Sequence, residues 1–202
     1  MIWLNRLIFW LPQIIVGAIF LWLFFQKIRQ KLTVNSIRKA IILVVAVYVI
    51  QILIRIGFFY WQLKNDPLGT YLMPGKGSYF FYQTIWQMTL PLVAAIVAAI
   101  FLVILVSFVK KVTHRPLFNE EDTWIIFLTT LAVGYPNVYV LLFGSLILMV
   151  IIQLIETVRK RNDPNREIRL SIDSYLLIVA LAIIILNNFA FYNKLLNLIG
   201  VL

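Results

Sequence analysis

The chain has 202 residues, of which 62% are hydrophobic and 13% charged, with a formal net charge of +10 and no cysteine. At a mean hydropathy of +0.94 there is more apolar side chain than one soluble core of this size can cover, so the expected solvent is lipid. The lack of cysteine excludes disulfides, iron–sulfur clusters, thiolate zinc sites and a cysteine nucleophile.

His114, the single histidine, lies in a charged loop, which leaves no imidazole pair for haem. No cofactor and no metal is expected. The pI near 10.0 is explained by basic residues clustered at helix ends beside anionic lipid, so nucleic acid is not an expected partner.

Six apolar stretches are predicted in chain order, at about 7–25, 40–61, 79–109, 123–136, 138–156 and 175–199. The fold class they imply is all-α: a single polytopic transmembrane bundle over residues 1–202, with lipid as its first partner. The first stretch has its positive residues after the apolar run and no small-residue cleavage site, as a retained span with its N-terminus outside would. No lipidation motif is read: position 2 is Ile, and there is no cysteine to acylate.

The second stretch carries Arg55, 16 residues beyond Lys39 and so about 24 Å along its helix, with Gln51 one turn deeper on the same face. In the third, Leu90–Val109 runs twenty residues without a formal charge, and Gln83 and Gln87 lie a turn apart near its outer end. Asn187 and Asn188 reach a similar depth on the sixth. Arg55, Gln51, Gln87 and Asn188 therefore admit two readings. One is an outward-opening polar pocket; the other is a snorkelling arginine beside amides that bond between helices.

The fourth stretch has only about 14 residues, roughly 21 Å, before Gly134-Tyr135-Pro136-Asn137 turns the chain. It is expected to thin the bilayer or to stop short and pack on its neighbours. Asn119-Glu120-Glu121-Asp122 precedes it, where an N-cap and acids in the first turn favour the helix dipole. The sixth is apolar only to Leu186, beyond which asparagines and Lys194 interrupt it.

Alternate links hold 13 of the 18 lysines and arginines, including Lys31, Lys111 and Arg161. The positive-inside rule places these links in the cytoplasm and both termini outside the cytoplasmic membrane, with multiple passes. Tyr, Trp and Phe gather at 58–61 and 79–86, where an outer aromatic belt would lie.

From Asp122 on, DTWIIFLTTLAVGYPNVYVLLFGSLILMVIIQLI resembles the segment of prepilin leader peptidases, intramembrane aspartic peptidases, that follows their Gly-x-Gly-Asp motif. The resemblance covers about residues 119–190. It sets Asp122 at the motif aspartate, Gly134-Tyr135-Pro136 at the turn and Arg169–Leu177 before the last span. Asn119 and Glu121 stand at the motif's two glycines and Trp124 at a usual lysine, so the relative is a degenerate one.

The family's chemistry needs a second aspartate at the same membrane face. Asp66, followed by Pro74, is the early candidate, but one span separates it from Asp122. The resemblance implies an association with a type IV pilus or secretion machine. The rival expectations are a non-catalytic subunit holding a membrane-protein partner, and a small-solute transporter component around Arg55.

Overall fold

A computed structural model describes residues 2–67, 69–72, 78–113, 120–134, 137–162, 172–187, 189 and 192. Among them, six α-helices follow one another: α1 (Ile2–Ile28), α2 (Val34–Asn65), α3 (Ser78–Thr113), α4 (Glu120–Val133), α5 (Val138–Asn162) and α6 (Ile172–Leu186). A 3₁₀ turn, Gly69–Leu72, follows α2.

Three helices are long and apolar enough to cross a membrane, through Trp10–Ile28, Val34–Asn65 and Phe81–Phe108. Shorter apolar helices cover Val138–Ile152 and Ser174–Leu186. The large side chains they expose, among them Ile42, Leu53, Val97, Phe101 and Phe143, form the surface that a lipid solvent accepts and water does not.

Local chemistry sets the boundaries. After α1, Gln30 takes a left-handed φ of 55° and its N–H bonds Lys27 O at 3.0 Å, which turns the chain. Thr33 then caps α2, its Oγ1 accepting from Ser36 N–H at 3.3 Å. α4 ends at Val133, three residues short of the expected boundary, because Gly134 adopts φ 71° and returns its N–H to Thr130 O at 3.0 Å. α6 ends at Leu186, where the asparagines begin, well before the expected limit of 199. Most of the remainder of that stretch lies outside the described residues, as do His114 and Asn119.

α4 is the shortest of the six helices and the most enclosed. Ile125, Ile126 and every residue from Leu128 to Val133 are buried, and α3, α6 and α2 pack around them while α5 touches only slightly. Such all-round burial explains a helix with no polar face. In lipid there is no hydrophobic drive between helices, so contact depends on close van der Waals packing. Small residues allow it: Ala95 and Ala99 on α3 and Ala180 on α6 are fully or nearly fully buried. On α5, Gly144 leaves so little room that a Cβ there would stand 3.1 Å from Val179 Cγ1. α1 joins the same core through Val16, Phe20 and Leu23, packing on α2 and α6.

Two contacts fix the direction of α4. Arg38, in the first turns of α2, lies 3.9 Å from Glu120 and holds its Cζ 4.7 Å from the Trp124 ring centroid. Ten residues further along α2, the Tyr48 hydroxyl donates to Ala132 O at 2.6 Å. Both contacts advance together, so α2 and α4 run parallel from one end of the molecule. α4 stops at the level of Tyr48 while α2 continues past it.

Candidate functional site

α4's early end leaves a space that the longer helices surround. A cavity of about 260 Å³ lies over its last turn, with Leu131, Ala132, Val133 and Gly134 forming the floor. Irregular backbone at membrane depth is tolerated where it is buried in protein or lines a polar cavity, and Gly134 lines this one.

Each wall follows from helical periodicity. α2 contributes Tyr48, Gln51, Ile52 and Arg55, at i, i+3, i+4 and i+7 of one face. α3 contributes Met88, Pro91, Leu92 and Ala95 in the same spacing. α6 adds Ile183, Ile184 and Asn187 at its end, α1 adds Gln13, and Asn137 closes the junction between α4 and α5.

Several backbone interruptions meet here. Pro91 has no N–H to offer the Gln87 carbonyl one turn back, and Pro12 does the same to Ile8 in the turn that carries Gln13. α4 and α6 both terminate at the cavity. Of the carbonyls in the last turn of α4, Ala132 O is taken by the Tyr48 hydroxyl and Thr130 O by Gly134 N–H. Asn137 is held from the other side: Tyr192, beyond α6, donates its hydroxyl to Asn137 Oδ1 at 3.0 Å in a buried contact.

Arg55 supplies the formal charge of this cavity, and no acidic side chain is among the described residues lining it. Gln13 Oε1 is buried and accepts no hydrogen bond. A buried amide oxygen left without a donor costs on the order of 1–3 kcal/mol.

Of the four residues expected to cluster, the structure brings Arg55 and Gln51 together in the cavity. Gln87 is a correction: it is exposed, because the inward stripe of α3 starts at Met88 and one residue is a rotation of about 100°. Gln83 is exposed as well. Asn188 lies outside the described residues, and its neighbour Asn187 lines the wall. Sequence reasoning passed over Gln13, Tyr48 and Asn137. The first sits beside a proline inside a helix, the second completes the spacing to Gln51 and Arg55, and the third follows the Gly-x-Pro turn.

The two candidate aspartates stand apart. Asp122 is buried in the first turn of α4, near the end of α2 that carries Arg38. Asp66 is the exposed C-cap of α2. The 28 residues between Arg38 and Asp66 put about 40 Å between those positions, far beyond any shared proton. Among the described residues no group of three His, Cys, Asp or Glu side chains is placed to hold a metal ion. Protein-family models, curated proteins and solved structures were all compared with this chain, and nothing in them matches it.

Proposed function

We propose that this chain is a multi-pass protein of the cytoplasmic membrane that binds a small polar solute in the Arg55 cavity, as a component of a transport system. Six crossings, with the loops at Lys31, Lys111 and Arg161 in the cytoplasm and the termini outside, are the topology that the basic residues favour. The reading is carried by one observation: a polar cavity with a cation sits where a short inner helix stops inside the bundle. Transporters build their sites from interrupted helices near mid-membrane, where unsatisfied backbone and a few side chains face the solute.

Peptidase chemistry is not part of the proposal. A carboxylate pair must share one site to divide the roles of acid and base, and Asp66 and Asp122 belong to opposite ends of α2. The resemblance to prepilin peptidases then rests on sequence alone, an aspartate followed by a short apolar run and Gly134-Tyr135-Pro136.

The test is a melting screen of the purified full chain in lipid nanodiscs against small sugars, carboxylates, amines, amino acids and inorganic ions. At least one class should raise the melting temperature saturably in the wild type and fail to do so with Arg55→Gln. A panel without any saturable shift would contradict solute binding.

A further inference from the structure

We infer that the solute is a small monocarboxylate, its charge met by that of Arg55 and its carbon chain by the apolar part of the wall. The inference rests on the solute-binding reading above and deepens it.

The sign of the cavity is decided by where the acids stand. Glu120, Glu121 and Asp122 open α4 and Asp173 opens α6, and both helices reach the cavity only at their other ends. Glu156 is 18 residues into α5, counted from Val138. Asp66, the exposed C-cap of α2, is 11 residues past Arg55. At 1.5 Å per residue, about 13 Å of helix or more separates each of these six from the wall. Asp163 and Glu167 lie outside the described residues.

Bonds from Arg55 to neutral groups of the bundle leave its formal charge in place, so the argument turns on counter-charge alone. The helix ends do not supply it. Thr130 O is taken by Gly134 N–H, Ala132 O by the Tyr48 hydroxyl, Ile183 O by Asn187 N–H and Leu186 O by Phe189 N–H. The amides of Gln51 and Asn187, and the Gln87 carbonyl to which Pro91 gives no N–H, are dipoles without net charge. Among the described residues the cavity therefore carries one net positive charge. Charge is expensive at membrane depth, and a monoanion cancels it. A dianion would reverse the charge and a cation would double it.

Lining and size choose an organic anion over an inorganic one. Ile52, Met88, Leu92 and Ala95 form an apolar stretch of wall, which gains by covering a hydrocarbon chain and gives a hydrated ion nothing. A cavity of about 150 Å³ holds a benzene ring, so about 260 Å³ accommodates a carboxylate of roughly four to six carbons. A guanidinium also matches a carboxylate in shape, two parallel N–H donors to two oxygens.

The experiment uses the full chain in nanodiscs of zwitterionic lipid, with empty nanodiscs as the blank. Calorimetry gives dissociation constants for butanoate, pentanoate and hexanoate, for the amide, amine and dicarboxylate of each length, and for chloride and phosphate. At least one monocarboxylate should bind tenfold or more tightly than its amide, its amine, its dicarboxylate and either inorganic ion. Arg55→Gln should abolish the preference over the amide. Lys64→Gln, which removes an exposed cation further along α2, should keep it. The wild-type comparison stands even if the Arg55 variant fails to fold. The monocarboxylate inference is overturned if amide, amine, dicarboxylate or inorganic ion binds as tightly, if Arg55→Gln keeps the preference, or if Lys64→Gln abolishes it. Solute binding survives any of these results; if no probe binds, both readings fall.

Discussion

The hydrogen bond from the Tyr48 hydroxyl to Ala132 O spans 84 residues of sequence and ties α2 to the last turn of α4. It satisfies a carbonyl that the helix itself leaves open, at the wall of the cavity. Tyr48→Phe keeps the ring and removes the bond, so it should destabilise the protein by about 0.5–1.5 kcal/mol, read as a lower melting temperature in nanodiscs. A change indistinguishable from zero would mean that Ala132 O finds another donor. Asp122 offers a contrasting case, being buried in the first turn of α4 where the helix dipole favours an acid. Asp122→Asn should cost only about 0.3–1 kcal/mol and leave a co-expressed prepilin-like substrate as uncut as the wild type does. Asp122-dependent cleavage would restore the peptidase reading. At this scale the sequence was legible where spacing and chemistry coincide, as for Gln51 and Arg55. Gln87 misled because depth along a helix says nothing about direction around it, and one residue's rotation turned Met88 inward instead.

Elements were legible where turn chemistry is local. The Gly134 signal marks the end of α4 because only a residue without a Cβ takes a φ of 71° cheaply. Apart from its immediate chain neighbours, no described atom lies within 4 Å of where a Cβ at Gly134 would stand, so Gly134→Ala tests the local backbone. It should destabilise by about 1–2 kcal/mol, the cost of a left-handed L-residue, measured by thermal or denaturant unfolding in the same nanodiscs. An unchanged stability would show that the junction relaxes freely. The central position of α4 was not legible. Its length of fourteen residues allowed a helix that stops short and packs on its neighbours, but nothing in it announces that α2, α3 and α6 enclose it on all sides. Burial on all sides is a property of the neighbours and has no period in the helix's own sequence. The short extent of α6 was half legible, since the asparagines after Leu186 mark where its apolar run stops.

For the whole molecule, the division of basic residues argues orientation, while the packing sets Gln51, Arg55 and Asn187 around the cavity. Orientation is tested in intact cells with a membrane-impermeant thiol reagent, against a chain with no cysteine of its own. Lys31→Cys and Arg161→Cys should resist it and Thr70→Cys should react; labelling at 161 would reverse the topology. The cavity itself is tested by a pair of sites at nearly the same depth on α2. Gln51 lines the cavity, whereas Leu53, two residues on, is 62% exposed on the face turned to lipid. A small, charged thiol reagent needs water to reach its target, so Gln51→Cys should react from the outer side and Leu53→Cys should not. Equal labelling of the two, or none at 51, would contradict a water-accessible binding cavity around Arg55.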